Sequence, residues 1–279
     1  MSTVTTPTSP KAFALDVLGV SPKTVIPTAL IIQATTKAGT VEGDEPAVRV
    51  PAVNLDASVG FVPEGSQIPE ADPALSELVI LTGKIAELIK VSREQLAQPD
   101  ALDVISHEIK RSMIAKADWA LLQQAAPVAP ATHPPAGLLS KAADAGTISG
   151  SLDALIDAVA VIESLPGGQA THIIANPSAY AALRQFKKGT GSNESLLGAG
   201  TEAGPKTLLS LPVLTTSAMP ADKLLVLDKA QVLSAYGDFK FARSDDYYFG
   251  SDNVALRATL RFGAGPVDAD AIQVLTVDL

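Results

Sequence analysis

The chain has 279 residues, enough for one large domain or two ordinary ones, with a formal net charge of −9 and a hydrophobic fraction of 47%. That acidic balance argues against wrapping nucleic acid directly, and the absence of cysteine removes disulfides and thiolate metal sites. A mean hydropathy of +0.24 is high for a solitary soluble protein, yet no apolar run approaches the roughly 18 residues of a membrane helix, so the excess apolar surface is expected to meet other copies of the chain.

The opening "MSTVTTPTSPKAF" lacks the basic and apolar regions of a secretory signal, which points to a cytoplasmic origin. Residues 1 to about 35 are rich in Thr, Pro and Ser before turning apolar at "VIPTALIIQATT", and an extended N-terminal arm is expected there, ordered only where something packs on it. From Ala47 to Leu55, "AVRVPAVNL" alternates apolar and polar with a break at Pro51, the pattern of an exposed or edge strand. "FVPEGSQIPEADP", residues 61–73, carries three prolines and no tight hairpin turn. "ALSELVILTGKIAELIKVS", residues 74–92, reads as the returning strand, with Val79, Leu81, Ile85, Ile89 and Val91 in one frame and Leu78, Ile80 and Leu88 in the other. A two-stranded hairpin is marginal alone in water, so one with two apolar faces is expected to lie on neighbouring subunits.

Ser92 begins "SREQ", a capping box for a short helix that stops before Pro99. Asp100 then caps a longer helix with Leu102, Ile105, Ile109, Met113, Ala117 and Leu121 at helical spacing, ended by the prolines of "APVAPATHPPAGLLS". From about 145 to 250 helix and strand alternate: amphipathic "SLDALIDAVAVIESL", a buried strand "THIIAN", then Asn176 and Pro177 as N-cap and first-turn proline of "SAYAALRQF". Residues 187–204 hold five glycines and predict a mobile loop. "LPVLTT", "KLLVLD", "QVLSA", "NVALRATLRFG" and "AIQVLTV" follow as strands.

No constellation for catalysis emerges. His107, His133 and His172 fall on a helix, in the Pro-rich linker and in a strand, without ligand spacing, and are read as structural. "GAGTEAGPKT" fails as a phosphate loop because Pro205 separates Gly204 from Lys206. "NES" at 193–195 is a chance match to a glycosylation acceptor. Glu64, Glu70, Asp72 and Glu77 leave three readings open: a cation site, a solvated tip, or carboxylates that find Lys or Arg across a subunit boundary, where such pairs add register more than affinity.

In their order these pieces resemble the major capsid proteins of tailed bacteriophages with the Hong Kong 97 fold. "FVPEGSQIPEADPALSELVILTGKIAELIKVSREQL" is similar to the extended loop and short helix of that family, and the helix ending "ADWALLQQ" to its spine helix. "IIANPSAYAALRQF", "LPVLTTSAMP", "LLVLD" and "NVALRATLRFG" resemble the axial core and last peripheral strands. The resemblance implies an α+β, L-shaped subunit with an N-terminal arm (1–44), an extended loop (45–91), a peripheral domain with the spine helix (92–144), an axial α/β domain (145–235), and peripheral strands returning to the axial domain (236–279).

On that resemblance Phe61, Glu64, Ile68, Glu70, Asp72, Glu77 and Lys84 contact an adjacent subunit, while Lys187, Lys188, Asn193 and Glu194 approach the symmetry axis of a hexamer or pentamer. The implied function is self-assembly, in the host cytoplasm, into an icosahedral virion head that encloses double-stranded DNA without sequence-specific binding. Portal and separate scaffold or decoration proteins are implied partners; no cofactor, metal, membrane or enzymatic activity is.

Two departures matter. Some family members weld neighbours through an extended-loop lysine, but here no Lys lies between Lys37 and Lys84, so a non-covalent shell is expected. Others carry a helical N-terminal scaffolding segment; none precedes residue 35, which implies a separate scaffold or none. The alternative function is an encapsulin-like nanocompartment shell of the same fold, with "TALII" supplying an apolar groove for cargo. An α/β enzyme with a dimerisation arm would need convergent titratable residues that the sequence lacks.

Overall fold

The computed structural model describes residues 18–20, 25–41, 47–55, 61–67, 73–98, 101–189, 191–198 and 205–279. The first half of the chain forms β1 (Leu18–Val20), α1 (Leu30–Gln33), β2 (Thr36–Gly39), β3 (Ala47–Leu55), β4 (Pro73–Leu81), β5 (Gly83–Ser92), α2 (Arg93–Leu96) and α3 (Ala101–Gln123). The second half forms β6 (Ala143–Ile148), α4 (Asp153–Ser164), β7 (His172–Ala175), α5 (Pro177–Gln185), β8 (Thr207–Leu208), β9 (Leu211–Thr215), β10 (Lys223–Leu227), β11 (Val232–Tyr236), β12 (Phe239–Tyr248), β13 (Asn253–Pro266) and β14 (Ile272–Val277).

The first sheet is built on β13. Antiparallel β5 runs along one edge, from Ser92 opposite Asn253 to Gly83 opposite Phe262. Along the other edge β11 and β12 follow one another, and the four-residue step from Tyr236 to Lys240 faces the three-residue step from Phe262 to Thr259, a bulge in which the Gly237 N–H donates to the Arg261 carbonyl at 3.0 Å. β1 extends this sheet on β12, and β2 pairs in parallel with β11. Alternation in β13 then sorts its side chains: Val254, Leu256, Ala258, Leu260 and Phe262 enter the core, and Arg257, Thr259 and Arg261 take the opposite face.

α3 covers the core face of that sheet, packing on β5 and β13. Ile109, Met113, Ala117 and Leu121 are buried as their four-residue spacing predicts, while Leu102 and Ile105 are half-buried. The expected cap, Asp100, lies outside the described residues. At the preceding helix the box forms as read: Ser92 Oγ accepts from the Glu94 and Gln95 N–H groups at 3.2 and 3.4 Å, and Gln95 Oε1 accepts from the Ser92 N–H at 3.3 Å. Ser92→Ala is expected to cost about 1 kcal/mol, a fall of roughly 2 to 4 °C in thermal midpoint; an unchanged melt would show that the cap contributes nothing here.

The second sheet has the order β6-β14-β10-β7-β9-β8, parallel at β14 with β6 and at β7 with β9. "KLLVL" of β10 shows no alternation because both faces are covered. Leu224 and Val226 join the cluster under α4 and α5, and Leu225 and Leu227 join the α3 cluster. The second sheet therefore shares one of its faces with the core of the first. α5 starts as its sequence predicts, with Asn176 Oδ1 accepting from the Ser178 N–H at 2.9 Å and Pro177 in the first turn.

The returning strand read over 74–92 divides at Thr82. β4 pairs with β3 over nine residues each, whereas β5 enters the first sheet and sets Ile85, Ile89 and Val91 against the core. Cover that the sequence reading assigned to neighbouring subunits thus comes, for β5, from the chain's own α3. The root of the β3–β4 arm also rests on its own subunit, where Ile80 is buried with Val41 and Ala235.

Candidate assembly surfaces

Three exposed features stand out. The first is the arm. Its nine-pair ladder spans about 30 Å at the usual strand rise, and Phe61 in the described part of its end, 61–67, is fully exposed beside exposed Glu64. Ile68, Glu70 and Asp72 lie outside the described residues. Glu77 sits mid-ladder and pairs with Arg49 of β3 at 3.5 Å, both exposed.

The second is the loop after α5. Lys187 and Ser195 form a β-bridge, the Lys188 N–H donates to the Glu194 carbonyl at 3.0 Å, and the Leu196 N–H donates to the Phe186 carbonyl at 2.7 Å. Lys188 Nζ also meets Glu194 Oε1 at 2.5 Å, and Lys187 Nζ reaches the Asn193 carbonyl at 3.4 Å. The four residues read from sequence are therefore brought together in a folded-back turn; of the loop read over 187–204, residues 190 and 199–204 lie outside the described residues.

The third is the face of the first sheet opposite α3, free of cover among the described residues, which the sequence reading did not single out. Lys84, Lys90, Lys240, Arg257 and Arg261 share it, with Lys84 directly opposite Arg261 and Leu88 opposite Arg257. Leu88 is half exposed there, and Tyr247 and Phe249 project at the nearby β12–β13 turn. Strand alternation carried the signal, since the cations within β5 and within β13 stand an even number of residues apart, but β5 lies far along the chain from β12 and β13.

The interior is organised for packing. Asp118 of α3 is buried and accepts from the Leu30 N–H at 2.8 Å; burial pushes its carboxyl up to about 6. Lys141 donates to the Ala264 carbonyl at 2.7 Å and is shifted down by burial. His172 is shifted down by burial and by the charge of Lys229, His107 is exposed on α3, and His133 lies beside Gly83 in the linker. Among the described residues no three His, Asp or Glu side chains converge on a possible metal position, and no helix is long and apolar enough to cross a membrane.

A family model described as the phage capsid family matches residues 30–277. The chain belongs to the phage capsid family. Among solved structures, a chain of Gordonia phage Cozz superposes on this capsid protein with a TM-score of 0.71 at 15% identity, over 90% of this chain and 87% of that one. A chain from the capsid of a native GTA particle gives 0.70 at 19% identity, over 100% and 99%. Mycobacterium phage Cain gives 0.67 at 14% identity, over 100% and 97%. No curated protein sequence matches. The fold is the Hong Kong 97-like capsid fold that the sequence resembled, and the chain is a structural shell protein that assembles with its own copies. The nanocompartment alternative is not favoured, and "TALII" offers no cargo groove, because Ala29, Leu30 and Ile31 are buried in the subunit's own core.

Proposed function

We propose that this capsid protein is the major subunit of an icosahedral phage head, that it assembles as hexamers and pentamers in the host cytoplasm, and that the shell encloses double-stranded DNA. The observation that carries this reading is the arm: a ladder about 30 Å long with fully exposed Phe61 at its end, on a chain of the capsid family. An isolated hairpin of this kind gains little stability in water. Laid on an adjacent subunit, it gains burial through Phe61 and Ile68 and register through Glu64, Glu70 and Asp72.

On this reading residues 45–82 are the extended loop, α3 with the first sheet is the peripheral domain, and the second sheet with α4 and α5 is the axial domain. The turn bearing Lys187, Lys188, Asn193 and Glu194 faces the capsomer axis. Portal and scaffold or decoration proteins complete the particle, and the shell is non-covalent, since no lysine lies between Lys37 and Lys84. A standard interface of about 1,600 Å² is worth roughly 40 kcal/mol gross before ordering and association costs. Several per subunit let each contact be weak while the closed shell is durable.

Negative-stain imaging of the chain expressed alone tests the reading: closed particles of uniform size are expected. Deleting residues 61–73 should leave a folded, soluble subunit that forms none. Normal particles from that deletion would contradict the role given to the arm.

A further inference from the structure

Around Lys84 the charge of this acidic protein is locally reversed. Lys84 stands directly opposite Arg261 across β5 and β13, and like charges so placed on neighbouring strands repel. Lys240 of β12 pairs with Thr259, two residues from Arg261 on the same face of β13, so it lies two strand spacings, about 10 Å, across the sheet from β5. Among the described residues Lys84, Lys240 and Arg261 form no salt bridge.

These cations line two hollows. One, of 450 Å³, is formed by Lys84, Arg261, Lys240, Thr259 and Asp238, with a single carboxylate set against three cations. The other, of 340 Å³, is formed by Lys84 and Arg261 again, with Thr132 and His133 of the Pro-rich linker and Leu81 and Thr82 at the step from β4 to β5. Lys84 and Arg261 belong to both. A guanidinium grips phosphate oxygens in pairs and a lysine meets them as a point charge. We infer that the two hollows form one binding site for an oligophosphate, a linear anion of two or more linked phosphates that lies between Lys84 and Arg261 and reaches Lys240 at one end and His133 at the other. Such a ligand offsets the repulsion across β5 and β13. Through Leu81 and Thr82 it also ties the root of the arm to the sheet.

The length of the ligand follows from the placement of the cations. A lone phosphate held by Lys84 and Arg261 leaves Lys240 or His133 unmet, whereas a chain of phosphates meets both. A nucleic acid is held at physiological salt by many phosphate contacts along an extended track. Here the basic track ends at the arm, where residues 42–77 hold eight Asp and Glu against the single Arg49, a net of −7. The site belongs to the subunit and stands apart from the shell reading, so either can fail without the other.

Isothermal titration of the full chain with inorganic tripolyphosphate, and thermal melts in its presence, test the site. Wild type should bind one tripolyphosphate per chain and melt roughly 5 to 10 °C higher at a hundredfold excess over Kd. Lys84→Gln with Lys240→Gln, both at exposed positions, should cost about fivefold or more in affinity, and adding Arg261→Gln should bring the loss to about tenfold or more. Lys110→Gln, which removes an exposed cation from α3, should bind as wild type. ATP separates the sources of the phosphate chain: binding tighter than that of tripolyphosphate assigns a nucleotide, and equal or weaker binding assigns an inorganic chain. No binding by wild type, affinity unchanged in the folded double variant, orthophosphate bound as tightly as tripolyphosphate, an equal rise in melting midpoint from sodium chloride at matched ionic strength, or a DNA duplex that displaces tripolyphosphate at equal phosphate concentration would each overturn the inference.

Discussion

Gly263→Ala is expected to lower subunit stability by about 3 kcal/mol or more and to detach the root of the arm. A Cβ at this position of β13 would lie 1.9 Å from the Leu81 carbonyl oxygen and 2.9 Å from its carbon. Both are backbone atoms, so no side chain can turn aside to relieve the contact. The chain passes directly over β13 at the step from β4 to β5, and only a residue without a side chain allows the two backbones so close. Overpacking in a core typically costs about 1 to 3 kcal/mol when side chains can move, and here the backbone must move instead. At roughly 2 to 4 °C per kcal/mol for a chain of this size, the melting midpoint should fall by about 6 to 12 °C. Displacement of Leu81 would also uncover Ile80, which is packed against Val41 and Ala235. Limited proteolysis should therefore cut the variant between residues 42 and 82 well before wild type. A variant with wild-type melting and wild-type proteolysis would show that the crossing is looser than this geometry requires.

The same crossing marks where sequence reading stopped. The capping box at Ser92 and the proline start at Asn176 were legible because each depends on residues within four positions of one another. The buried stripe of α3 was legible because its period is that of a helix. The division at Thr82 was not, because apolar residues fill both frames from Leu78 to Val91 and β5 finds its partner, β13, some 160 residues further on. Local pattern says that such a strand wants cover; it does not say whether α3 or a neighbour provides it. The glycines of 187–204 predict a mobile loop because they report backbone freedom, while the Lys187–Ser195 bridge and the Lys188–Glu194 pair within it depend on a chain reversal that no local pattern specifies. β11 comes directly after five strands of the second sheet and yet joins the first. As for the assembly surfaces, the acidic arm was visible as a run of residues, but the basic face exists only once β5, β12 and β13 are side by side.

Between pH 4 and pH 8, the substitution Asp118→Asn is expected to shift the stability difference between variant and wild type by about 3 kcal/mol in favour of the variant. Asp118 lies near the C-terminal end of α3 and is 7% exposed, and Ile26, Leu30 and Ile31 are buried in the same cluster. Its carboxylate accepts the Leu30 N–H at 2.8 Å, the donor at the start of α1, so it ties the N-terminal segment to the spine helix. Burial disfavours the ionised form more than this hydrogen bond favours it, and the carboxyl rises from 3.8 to about 6. The folded state then holds the proton more tightly than the unfolded chain. Below about pH 3 both states are protonated and the fold carries no penalty. As pH rises from about 4 to about 6 the unfolded chain ionises first and stability falls; above 6 a constant penalty of about 3 kcal/mol remains, at about 1.36 kcal/mol per pH unit. The asparagine side chain retains an oxygen to accept the Leu30 N–H but has no proton to lose, so whatever fixed cost its amide brings is the same at every pH. Denaturant unfolding of both proteins at pH 4, 5, 6 and 8 measures the difference directly. Parallel stability curves would mean that Asp118 ionises in the fold as readily as in the unfolded chain, and that the N-terminal segment is held without a charge penalty at its anchor.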